Sequence, residues 1–318
     1  MTRLKHTFQL PQLNGQQMLT DSGLETTLIF HDGMDIPHFA SFVFLREENG
    51  RERLKDYYRT HARIAQDMGV GFVFDTPTWR ASADWGDLLD YDTADLDALN
   101  QEAITFLRGV EAEFKGQLPA SVVSGNIGPR GDGYNPEFLM SVEQARDYHL
   151  PQVHSFAAAG ADMITVMTLS YVEEAIGLAL AAKATGIPIV LSFTVETDGK
   201  LATGQELGDA IMQVDRETDF APAYFMINCA HPTHFADMIP ASAPWIDRVM
   251  AIRANASCMS HAELDNAEEL DDGNPVQLGQ EHRDLLDLLP NLRVFGGCCG
   301  TDHRHVTEIG KACLTKAA

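Results

Sequence analysis

Basic residues are scarce: 23 Lys and Arg stand against 46 Asp and Glu in 318 residues, a formal charge of -23. A surface of that sign repels phosphate backbones and anionic headgroups, and no long basic stripe interrupts it. Nucleic acid and membrane surfaces are therefore poor partners. Long apolar runs are missing as well. Nowhere do the roughly 18 apolar residues of a membrane span follow one another unbroken. The opening MTRLKHTFQLPQLNG has no apolar stretch behind its basic residues of the kind that marks a secretory leader. The expected compartment is the cytoplasm. Cysteine is sparse and odd in number, five in all, which does not resemble a disulfide framework, so reduced thiols are expected. The C-x-x-C spacing of dithiol redox sites is absent, as are convincing internal repeats and low-complexity linkers.

What is present is a 45% hydrophobic chain, enough for a large core and somewhat longer than the ~250 residues typical of a barrel of alternating strands and helices. One domain over residues 1–318 is the expectation. Short apolar or β-branched runs recur at Gln17 to Asp21, Gly71 to Asp75, Ala120 to Gly125, Met163 to Met167, Pro188 to Phe193, Ala223 to Asn228, Val249 to Arg253 and Leu292 to Phe295. Each ends in small or polar residues. Amphipathic stretches separate them, at Arg53 to Met68, Asp95 to Glu113, Ser141 to Ala159 and Tyr171 to Ala184. About eight strands alternating with helices predict a parallel α/β sheet, closed as a (β/α)8 TIM-type barrel. The acidic segment from His261 to Asp272 reads as a solvated loop with a helix start.

Chemistry in such folds sits at the carboxyl ends of the strands, in an open sheet as in a closed one. Asp21, Asp75, Thr76, Asn126, Thr168, Ser192, Thr194, Asn228, Cys229 and Asn255 all fall there, as does the Cys298-Cys299 pair. That pair lies in Gly296-Gly297-Cys298-Cys299-Gly300-Thr301, where glycines permit unusual backbone angles and close approach. Cys229 precedes Cys298 by 69 residues, two βα units around a ring, so three thiols can reach one point. Three thiolates suit zinc and leave a fourth position open for a substrate. Cys258 and Cys313 read as buried small hydrophobes.

At these residues the chain resembles the homocysteine S-methyltransferase family. The matching segments are Asp21-Ser-Gly23-Leu-Glu25-Thr-Thr-Leu, Gly125-Asn126-Ile-Gly-Pro, Asn228-Cys229-Ala-His-Pro and Gly296-Gly297-Cys298-Cys299-Gly-Thr, in the family's order. The resemblance implies a (β/α)8 barrel and zinc held by Cys229, Cys298 and Cys299. It also implies a small thiol acceptor and a small methyl donor as partners; with no separate folate or cobalamin domain visible, a small onium donor is favoured. Methyl transfer to homocysteine would give methionine. Family members end the fourth strand in Phe-Glu-Thr, whose carboxylate contacts the amino group of homocysteine; here the stretch is Val166-Met167-Thr168, so Asp21, Glu25 or Glu196 would have to replace it, or the acceptor is a different thiol.

Among neighbouring residues, Trp79 in the loop Asp75 to Arg80 offers a π surface to a cationic methyl donor. Asn228 and Thr301 read as donors that orient thiolates. His231, His303 and His305 could serve as ligands or proton relays. Two other classes stay open: a zinc protein that stores or senses metal without catalysis, and a hydrolase or transferase with Cys229 as nucleophile beside His231 or His234. Self-association into a homo-oligomer is also left open.

Overall fold

A computed structural model describes residues 8–136, 138–267 and 269–314; the basic start over residues 1–7 lies outside them. Its strands are β1 (Met18–Leu19), β2 (Gly71–Asp75), β3 (Ser121–Ile127), β4 (Met163–Leu169), β5 (Ile189–Phe193), β6 (Tyr224–Asn228), β7 (Val249–Ala254) and β8 (Val294–Gly297). Each pairs in parallel with the next, and β8 returns to β1 with Met18 opposite Val294 and Leu19 opposite Phe295. The sheet is thus closed, which removes the open-sheet alternative.

Both faces of the strands are largely apolar because both are covered, with polar side chains such as Ser124 and Thr165 bonded to each other inside the barrel. Phe72, Phe74, Ile164, Val166, Leu191, Phe193, Phe225 and Ile227 point outward beneath the helices. Met18, Val73, Val122, Met163, Met167, Val190, Tyr224 and Met226 fill the barrel. The covering helices include Glu48–Met68, Thr93–Glu113, Val142–Ala158 and Val172–Thr185, at the places the periodicity indicates. Their ends follow from local chemistry: Asp92 and Ser141 cap first turns through their side chains, and left-handed Gly69 and Gly186 end helices. No described helix is long and apolar enough to cross a membrane.

The two ends of the barrel differ. At the amino end of the strands the short turn Pro11–Asn14 acts as a plug, and Gln12 Nε2 donates to the Tyr224 hydroxyl at 3.1 Å. At the carboxyl end polar side chains gather. β1 is shorter than expected, yet its pairing continues past Leu19, with Thr20 N–H donating to Phe295 O at 2.9 Å and Gly297 N–H to Asp21 O at 3.1 Å. β8 begins later than expected and runs into the glycine pair. β4 extends to Leu169 through a register shift between Val166 and Leu169. That bulge leaves Thr168 at φ 67°, and an irregularity of this kind re-aims side chains at a barrel rim. The acidic segment does start a helix, His261–Asp265, capped by Ser260.

Candidate thiol and metal site

The sulfurs of Cys229, Cys298 and Cys299 lie within 4.8 Å of one another at the barrel mouth. Cys229 follows β6 at φ 52°, a left-handed conformation uncommon for a residue with a Cβ. Its carbonyl is held by three donors that account for this turn: His261 Nε2 at 2.6 Å, Asn255 Nδ2 at 3.1 Å and Thr194 Oγ1 at 3.2 Å. Cys298 and Cys299 sit on the turn after β8, where Thr301 Oγ1 donates to Cys298 O at 2.7 Å. Gly23 packs so tightly here that a Cβ would stand 2.6 Å from that same oxygen.

Cys229 and Cys298 are joined as a disulfide, and the Cys299 sulfur is 3.7 Å from that of Cys229. Sulfurs converging on one point are close enough to bond to each other, and this pair stands bonded where free thiols were expected. A disulfide and a three-thiolate metal site exclude each other, because the bond consumes two of the ligands. In reduced form the donor set is three soft sulfurs, which fits a thiophilic divalent metal.

Asn228, fully buried beneath the sulfurs, ties three strands together. Its Oδ1 accepts from Thr168 N–H at 2.8 Å and Ser192 Oγ at 2.6 Å; its Nδ2 donates to Thr168 Oγ1 at 3.0 Å and approaches the Cys298 sulfur at 3.7 Å.

Beside the thiols is a buried charge cluster. Arg253, at the end of β7, is 4% exposed. Its guanidinium pairs with Asp21, with Asp75 at 2.9 Å, and donates to Gly297 O at 3.0 Å and Ser22 O at 3.1 Å. Burial raises both carboxyls against the pull of the guanidinium, Asp75 to about 6. His61 is pushed down to about 4 by burial. Its Nδ1 lies 2.9 Å from Tyr57 O, so its Nε2 is left to accept from Ser22 Oγ at 2.8 Å.

The family model for homocysteine S-methyltransferase matches residues 18–313. The chain belongs to that family. Homocysteine S-methyltransferase of Escherichia coli strain K12 is 28% identical over 173 residues, 51% of this chain and 52% of that protein. The match thus spans about half the length of that curated relative. Two crystal structures of the homocysteine methyltransferase MmuM from Escherichia coli share the fold. The oxidized form has a TM-score of 0.72 at 19% identity over 94% of this chain and 97% of that one. The metallated form has a TM-score of 0.70 at 19% identity over 95% and 98%.

Within this homocysteine S-methyltransferase family member, the pocket at the mouth is lined by all three cysteines and by Asp21, Gly23, Glu25, Thr76, Trp79, Asn126, Thr168 and Asn228. Gly297 contributes its carbonyl to Arg253 instead of lining the space. Trp79 reaches the pocket, with the Arg80 guanidinium 4.9 Å from its ring centroid. Met167 forms part of the lining, so the position where a carboxylate was sought is apolar. Glu196 lies apart, 3.2 Å from His261. The histidines also turn elsewhere: His231 faces Glu281 at 3.2 Å, His234 bonds Cys258 O at 2.9 Å, and His305 engages Asp302. Neither His231 nor His234 has a described hydrogen bond to the Cys229 sulfur that a cysteine nucleophile would need. Cys313 is buried as expected, but Cys258 is exposed, between β7 and the helix His261–Asp265.

Two residues that bear on the site were not singled out in the sequence. Arg253 was placed on its strand without a role, although an arginine closing an apolar run carried the signal. Tyr134 lies in a glycine-rich loop without periodicity. Its hydroxyl comes within 3.8 Å of the Cys299 sulfur, and its ring is 4.2 Å from that of His261.

Proposed function

We propose that this chain is a zinc-dependent thiol S-methyltransferase that moves a methyl group from a small onium donor to a thiol, with homocysteine, giving methionine, the first acceptor to test. The observation that carries this reading is the convergence of three cysteine sulfurs on one wall of a pocket whose other walls are acidic and aromatic. Cys229, Cys298 and Cys299 would hold the metal, and when bound zinc supplies the positive charge that keeps an acceptor thiol deprotonated at neutral pH. In the transfer itself the acceptor sulfur forms a new bond to the methyl carbon. The donor's carbon–onium bond breaks with its electron pair returning to the donor, and the acceptor's proton is released to water.

The protein's contribution is placement. Asn228 orients Cys298, and the three donors on the Cys229 carbonyl fix the turn that presents its sulfur. Alignment of nucleophile, methyl carbon and leaving group is where much of the rate of such a displacement arises. Trp79 and Tyr134 line the same space and offer aromatic faces to a cationic donor.

The test is a donor-by-acceptor screen on reduced, zinc-loaded protein, with methylated product read by mass spectrometry. S-methylmethionine, S-adenosylmethionine and a betaine serve as donors, and homocysteine and 4-mercaptobutanoate as acceptors. Methylated thiol from at least one pair, lost on chelation, supports the reading. No methylated thiol from any pair refutes it.

A further inference from the structure

Three carboxylates line the pocket: Asp21, Glu25 and Asp75. Two are spoken for, because Arg253 bonds both Asp21 and Asp75. Glu25 differs. Its Oε1 accepts from Ser41 Oγ at 2.8 Å, and among the described residues no lysine, arginine or histidine forms an ion pair with it. Arg80 acts on it only from a distance, since its guanidinium stacks 3.8 Å from the Trp85 ring centroid and donates to His38 O at 2.6 Å. Burial raises the Glu25 carboxyl above its ordinary range. A half-buried carboxylate without a countercharge is held at some cost, and a cation brought by a ligand would offset it.

Position adds to charge. Glu25 stands in the helical turn Leu24–Thr26, directly after Gly23. That turn is fastened to the cysteine loop: Gly300 N–H donates to Thr26 Oγ1 at 3.0 Å, and Gly23 N–H to Thr301 Oγ1 at 3.2 Å. A cation at Glu25 therefore lies in the same pocket as the sulfurs, which the rings of Trp79 and Tyr134 also line. With three carboxylates and three thiolates against one guanidinium and a divalent metal, the lining remains net negative.

We propose that Glu25 is the pocket's receptor for an organic cation carried by a substrate, either the ammonium of an amino-acid thiol or the onium centre of the methyl donor. This rests on the methyltransferase reading for the identity of the ligands, but binding tests it without turnover. Calorimetric titrations of reduced, zinc-loaded wild type and Glu25→Gln would use three probes: homocysteine, 4-mercaptobutanoate, and a dimethylsulfonium carboxylate lacking a primary amine. If Glu25 holds the ammonium, Glu25→Gln weakens homocysteine about 10- to 100-fold, the range of a charge-assisted hydrogen bond, and leaves 4-mercaptobutanoate within twofold. If it holds the onium, both thiols keep their affinity and the sulfonium probe weakens by about 10-fold or more. Affinities for all three within twofold of wild type overturn the proposal, as does failure of wild type to bind any of them. Should Glu25→Gln unfold, Glu25→Asp, which keeps the charge one methylene further back, takes its place under the same criteria. Wild type that binds the probes yet transfers no methyl group sinks the methyltransferase reading alone, leaving the Glu25 comparison intact.

Discussion

Replacing Arg253 with methionine removes the cation that, among the described residues, pairs with two buried carboxylates, Asp21 and Asp75, which are 4% and 3% exposed. It also leaves the carbonyls of Gly297 and Ser22 without a donor they now have. Breaking a buried ion pair from one side costs about 3 to 5 kcal/mol, and that is the loss of unfolding free energy expected near pH 7.5. The pH dependence is the sharper test. Asp75 already rises from 3.8 to about 6 in the folded protein, so its contribution is full below the unfolded value and falls by about 3 kcal/mol as pH rises through the folded one. Without the guanidinium both folded carboxyls move higher still, and the variant loses more stability over the same rise. The gap between wild type and Arg253→Met should therefore be widest above pH 7 and shrink toward pH 4, as acid protonates the folded carboxyls and removes the charges that the guanidinium neutralises. Urea unfolding at a series of pH values from 4 to 8 measures it directly. A gap below about 1 kcal/mol at pH 7.5, or one that widens on acidification, would refute the reasoning. Adding Asp21→Asn and Asp75→Asn should restore part of the loss at neutral pH, because the uncompensated charges are then gone.

Under reducing conditions the chain should bind one zinc, and Ser at Cys229, Cys298 or Cys299 should abolish or severely weaken that binding, by elemental analysis; Cys258→Ala and Cys313→Ala should retain it. Oxidised protein, with Cys229 and Cys298 bonded, should take up zinc only after a thiol reductant is added. Asn228→Ala should lower zinc affinity and kcat/KM by about 10- to 100-fold, as expected when a group orienting a metal ligand is lost, read by competition with a chromogenic chelator and by initial rates.

The barrel was legible because its strands are bounded apolar runs covered on both faces, so that β2 falls at Gly71–Asp75 residue for residue. The ends that strayed have local causes. β8 enters two glycines, which have no side chain to show a period, and β4 crosses a bulge that breaks alternation at Met167 and Thr168. The thiols could be read from Cys229 and the glycine-flanked pair, since few other arrangements bring cysteines to strand ends. Partnership could not. Asp21 and Glu25 look alike in sequence, four residues apart, and only the arrival of Arg253 from β7 separates a neutralised carboxylate from an unpaired one. Tyr134 was invisible for a related reason: a loop's destination depends on what its neighbours leave open.

The order of the cysteines along the chain has a consequence for biosynthesis. Cys229 follows the sixth strand, whereas Cys298 and Cys299 follow the eighth, the strand that also closes the ring against the first. During synthesis the three-sulfur site cannot form until that last strand is available, so a growing chain with only six strands exposes one isolated thiol at that position. Metal capture by all three sulfurs thus waits on the strand that closes the ring. A chain cut before Val294 would lose the closing strand and two of the three sulfurs together.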